Sequence, residues 1–344
     1  MTTLTTVPVR PEEDATLRPV PWRQMAWITW RQHRLALTGV VTLLGALALY
    51  LWRAGLQLHH GYGAATACRP ASSIACVNAI SDFMSIYDHT TTIIPALLQA
   101  VPALIGAFVG APVLARELET GTFRYAWTQG FGRWRWTLAK LIPLAVVVAA
   151  AAGVFSLLFS WYYQPFIADG QSNRLGAIVF DLRGIAFASW TLAAFSIGAV
   201  AGIFVRRVVP AILASLAAYT GLAVVVGVFL REHYLTALVT SRPNVPASAL
   251  ITGNWGTKDG TVAFVGRPPI DLLQQFCPPS AVGPGKPSLG SFAQCFSQHG
   301  YTLWTSYQPA SRFWPFQWIE GGWLLALSAL LIAATVWMVR GRAT

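Results

Sequence analysis

The chain has 344 residues, of which 55% are hydrophobic and only 11% charged, less than half the roughly 25% charged share of a soluble domain. That balance excludes an ordinary soluble enzyme and predicts an all-α, polytopic membrane protein. The formal net charge of +11 does not mark a nucleic-acid binder. The basic residues flank apolar runs and form no continuous stripe, so they orient the chain and meet anionic headgroups instead. Nearly all are Arg, with Lys only at Lys140, Lys258 and Lys286. This fits a GC-rich genome and a bacterial plasma membrane.

Residues 1–20 are rich in Pro and Thr and predict a disordered cytoplasmic arm. No cleavable signal peptide is expected, because the first apolar run starts late and is long. Residues 21–34, PWRQMAWITWRQHR, space Trp27, Trp30 and Arg31, Arg34 by three, with Trp22 adding apolar surface. This predicts a short helix lying in the membrane interface; the plainer reading is a basic, aromatic entry to the first span.

Six spans follow, at 35–52, 93–115, 141–162, 184–205, 211–230 and 318–339, each near the length a bilayer core requires. With both termini inside, 14 of the 24 Lys and Arg residues fall in the short inner segments, which predicts N-in, C-in topology. All four cysteines then lie outside. Three pairings are open, and proximity favours Cys68–Cys76 and Cys277–Cys295. Their spacing fits no zinc site, and no metal is expected.

Residues 116–140, RELETGTFRYAWTQGFGRWRWTLAK, form a charged island between spans two and three. Arg116, Arg124, Arg133, Arg135 and Lys140 place it in the cytoplasm. There Glu117 and Glu119 could meet basic groups of a partner, Gly121 could set a turn, and Lys140 could snorkel to the interface. The plainer reading is a solvated positive-inside loop.

Within the spans, Gly106-x-x-x-Gly110 and Gly198-x-x-x-Gly202 permit close helix approach. Pro95, Pro102 and Pro112 make the second span bent or deformable. No charged residue falls mid-span, which argues against a proton-driven carrier and for an apolar or amphipathic cargo. The external segment 231–317 is proline-rich and too long for a connector. Its aromatic end, with Phe313, Trp314, Phe316, Trp318 and Glu320, reads as an interfacial belt or as an exit gate. Glu320 itself reads most simply as a helix-start residue. The nearest thing to a phosphate loop, Gly283-Pro284-Gly285-Lys286-Pro287, lacks the required spacing and hydroxyl. Any ATPase must therefore be a separate chain.

The WITWRQHR entry, the ARELETGTFRYAWTQGFGRWRW loop, the Arg206-Arg207 turn and the ASRFWPFQWIEGG segment together resemble permeases of the type-2 ABC exporter family, in their actinobacterial form. The resemblance runs from about Trp22 to Arg340. It implies a permease subunit without catalytic residues, in which residues 21–34 match the family's amphipathic connecting helix. Arg116, Glu117, Glu119, Gly121, Thr122 and Arg124 match its ATPase-coupling region. It further implies two ATPase subunits holding ATP and Mg, and a second permease copy, with cargo (drug, lipid or peptide) passing between copies. Two other functions remain open: an ATP-driven sensing or assembly complex, and a membrane-embedded enzyme using Asp82 and Asp88.

Overall fold

The computed structural model describes residues 22–68, 73–121, 133–168, 173–241, 245–276 and 294–341. Among them, six helices are long and apolar enough to cross a membrane: Leu37–Thr66, Thr92–Thr120, Arg133–Tyr162, Gly184–Val205, Val208–His233 and Ala310–Gly341. The predicted spans correspond to them one for one.

Helix α1 runs from Trp22 to Thr66 without a break. The separate interfacial helix at 21–34 is therefore corrected: it is the first part of a single helix. No Gly or Pro stands between Trp22 and Gly39, so nothing ends the hydrogen-bonded ladder there. Along its length α1 buries Leu37, Leu44, Leu51, Leu58 and Ala65. This seven-residue spacing makes one narrow seam, laid mainly against α5 (Arg133–Tyr162). Residues 53–66, read as external loop, continue the same helix. It turns through a Cys68–Cys76 disulfide into α2 (Ile74–Leu98), so that Phe83 of α2 lies beside Gly61 and Tyr62 of α1. Cys295 is also disulfide-bonded; Cys277, expected as its partner, lies outside the described residues.

The second span is built in pieces, as its prolines predict. After α2 come α3 (Ala100–Ile105), a π-helical turn (Gly106–Gly110) and α4 (Ala111–Thr120). The pieces pack on α6 (Gly184–Val205), the central helix, which also meets α5, α7 (Val208–Val225) and α8 (Phe313–Gly341). Here the two small-residue motifs turn out to be partners. A Cβ built on Gly198 would lie 2.2 Å from the Gly106 carbonyl oxygen, and one on Gly202 would lie 2.5 Å from that of Ala111. Small residues let the two backbones touch.

Between α7 and α8 the chain forms an antiparallel four-stranded sheet of order β1-β4-β2-β3, a fold the proline-rich sequence did not disclose. Its strands are β1 (Leu238–Thr240), β2 (Leu250–Lys258), β3 (Thr261–Val265) and β4 (Tyr301–Gln308). Strands β2 and β3 are joined at Asp259-Gly260, both with positive φ, as a two-residue hairpin demands. Strand β4 pairs along β2 from Leu250↔Gln308 to Lys258↔Tyr301. Phe264 and Phe296 fill a small core beneath the sheet with Leu272, Phe276 and Tyr301. The aromatic residues Tyr301, Trp304 and Tyr307 thus belong to strand β4, whereas Phe313, Trp314, Phe316 and Trp318 open α8.

Candidate functional site

At the bundle end away from the sheet, α4 stops at Gly121, whose φ of 70° is the left-handed helix-ending conformation that glycine adopts without strain. The two carboxylates in its last turns do not face an open surface together. Glu117 forms an ion pair with Lys140 of α5. Both side chains are largely buried, and the Lys140 ammonium lies 4.3 Å from the centre of the Trp136 ring. The expected snorkelling of Lys140 is corrected, because a carboxylate and an aromatic face inside the bundle satisfy the cation better than a stretch to the interface.

Glu119 accepts a hydrogen bond at 2.9 Å from the backbone N–H of Val208, the first residue of α7. That places a carboxylate at a helix N-terminus, where free N–H groups and the helix dipole favour negative charge. The preceding helix α6 closes at Arg206, in left-handed conformation, with its N–H donating to Gly202. Arg116 points outward and is exposed. Thr122 and Arg124 lie outside the described residues. The end of α4 is thus fastened by one side chain to α5, by the next to α7, and by glycine contacts to α6.

The predicted gate residues do not gather around one opening. Phe313 and Phe316 are buried, while Trp314 and Trp318, four residues apart on α8, are 56% and 65% exposed. The exposed pair has the spacing and exposure of an interfacial belt. Of the predicted interfacial residues, Trp27, Arg31 and Arg34 are exposed, and the Arg31 guanidinium lies 5.5 Å from the Trp27 ring centre. The side chains of Trp22 and Trp30 lie outside the described residues. Asp82 is exposed on α2; the side chain of Asp88 lies outside the described residues.

Glu320 overturns its own reading as a helix-start residue. It lies in the second turn of α8, fully buried, and caps nothing. Arg231, also buried, donates from Nε to Glu320 Oε2 at 3.0 Å and from Nη2 to Oε1 at 2.8 Å, a bidentate pair. Nη2 also pairs with Asp181. The Trp190 indole N–H of α6 donates to Glu320 Oε1 at 2.8 Å. Beside it, Gln317 of α8 accepts from Ala186 N–H at 2.8 Å and donates to the Phe180 carbonyl at 3.1 Å, so one side chain caps α6 from a neighbouring helix. The helical run of the fifth span continues through His233, which brings Arg231 inside it.

A family model described as "ABC-2 membrane transporter related" matches residues 25–231. The chain belongs to that family. It is a multi-pass membrane protein and a membrane transport subunit of the ABC-2 permease type. The match ends at Arg231, so the sheet and α8 lie beyond it, although α8 packs directly on the central helix. Comparison with curated proteins and with solved structures found no match.

Proposed function

We propose that this ABC-2 permease is the membrane half of an ATP-driven exporter. Two separate ATPase subunits, holding ATP and Mg, would dock on the cytoplasmic face around residues 116–124. A second copy of the permease would complete the path, and an apolar or amphipathic cargo would move outward along it. The observation that carries this reading is the fastening of the α4 end. A force applied near Arg116 and Gly121 acts at once on α4, α5 and α7 through Glu117–Lys140 and Glu119–Val208. Coupling needs such a shared rigid element, one whose position can differ between two states.

The same geometry decides the test. Lysines at Glu117 and Glu119 would break internal contacts along with any docking, whereas Arg116 is exposed and free of that ambiguity. Arg116→Glu should leave the permease inserted while co-purified ATPase and cargo-stimulated hydrolysis fall several-fold. Asp259→Lys, in the β2–β3 turn, should change neither. Reporters fused after Arg133 and after Gly341 should read cytoplasmic, and one at Gly260 external. Normal ATPase association in Arg116→Glu, or an external signal at Arg133, would refute the assignment.

A further inference from the structure

The Arg231 cluster brings two carboxyl groups to one buried guanidinium. Glu320 alone neutralises Arg231, since its two oxygens take Nε and Nη2. Asp181 pairs with the same Nη2, so the two carboxyl groups meet at one guanidinium nitrogen. Two ionised carboxylates held at one nitrogen repel each other, and a proton on either removes that repulsion. Among the described residues, no second cation pairs with either carboxyl group. The Phe180 ring lies 4.6 Å from the Arg231 guanidinium carbon. Leu175, Phe180, Phe316 and Val226 are buried in the adjoining apolar core.

The other polar neighbours are neutral. From α6 comes the Trp190 N–H, and from α7 the Tyr219 ring, stacked edge-on against Trp190. The Tyr234 hydroxyl accepts from Trp323 of α8, and Gln317 is spent on backbone groups. Arg183, on the same 177–183 segment, lies over the Phe313 ring. With both carboxyls ionised, the cluster would carry an uncompensated negative charge in an apolar setting, where an isolated charge is costly.

We propose that this cluster is a proton-binding site, in which one proton held between Asp181 and Glu320 makes the group neutral and latches residues 177–183 to the helical run beyond α7 and to the start of α8. This site stands apart from the ATPase-coupling reading and survives its failure. Asp181 is the route for the proton, since its side chain is 18% exposed and that of Glu320 is sealed. Burial, reinforced by Glu320 and opposed by Arg231, pushes the Asp181 carboxyl up to about 7. The sign follows from linkage. A carboxyl raised in the folded state contributes stability that is full below its unfolded value of about 4 and is lost as pH rises through about 7.

The test is infrared spectroscopy of the full chain in lipid nanodiscs at about pH 6 and about pH 9, where ordinary carboxyls are ionised at both. The wild type should show one protonated carboxyl per chain at the lower pH and none at the higher. Asp181→Asn should lack the signal. So should Glu320→Gln, which leaves a one-to-one Arg231–Asp181 pair needing no proton, while Asp82→Asn should keep it. The wild type should also lose apparent thermal stability between the two pH values, and Asp181→Asn should not. No protonated carboxyl in the wild type at the lower pH, or a signal that survives in either cluster variant, overturns the proposal. The wild-type titration decides the matter alone if the variants fail to insert.

Discussion

Gly198→Val should nearly abolish recovery of folded permease, while Gly153→Val should be tolerated. The new Cβ at position 198 would sit 2.2 Å from the Gly106 carbonyl oxygen and 2.7 Å from the Ala111 nitrogen. Those are backbone atoms and cannot rotate aside, so the central helix must separate from α3 and α4. Ordinary overpacking costs about 1–3 kcal/mol; forcing two backbones apart should exceed the top of that range. At Gly153 nothing lies within 4 Å of an added Cβ. Yield of monodisperse protein in detergent and its apparent melting temperature would compare the two. Equal behaviour would mean that the two glycine motifs do not pack on one another.

Arg231→Met should be the most damaging loss of a single charge. It strands Glu320, which is fully buried and, among the described residues, pairs with no other cation. Removing one partner of a buried pair costs about 3–5 kcal/mol. Adding Glu320→Gln should restore much of that, because the glutamine oxygen can still accept the Trp190 N–H and the one carboxyl left, on Asp181, is partly exposed. Thermal unfolding of the two variants in the same detergent checks this. A double variant no more stable than the single one would show that Arg231 acts by packing alone.

What the sequence disclosed and what it hid divide along physical lines. The spans were legible because a bilayer imposes a minimum apolar length, and runs such as 141–162 meet it whatever they pack against. The continuation of α1 past Trp52 was not. Arg53, His59 and His60 end the hydropathy run, yet a helix persists through polar residues as long as no breaker intervenes. In the structure His59 is accommodated by stacking on Trp161 and bonding its carbonyl oxygen. The glycine motifs were visible as small-residue spacings, but nothing local says which pair meets. The ionic cluster was harder still. Its members stand 50 and 89 residues from Arg231, each at the edge of an apolar run where a charge is unremarkable. The sheet left one usable sign, Asp259-Gly260 between two β-branched stretches, which the surrounding prolines obscured. At the end of α4 the residue types were visible, but their use was not. Glu117 and Glu119 look alike in sequence, yet one holds a lysine and the other a helix end.

The single-seam attachment of α1 has a mechanical corollary. A continuous helix of 45 residues measures roughly 68 Å at 1.5 Å per residue, about twice the thickness of a hydrocarbon core. Its seam runs along the span from Leu37 to Ala65, so a tilt of α5 carries α1 with it. A tilt of about 10° at the membrane would sweep one tip by roughly 12 Å relative to the other. Because the Cys68–Cys76 bridge ties one tip to α2, that sweep would carry the disulfide-linked hairpin with it. A small rearrangement among the packed helices would therefore be read out, magnified, at the disulfide-linked end of the helix.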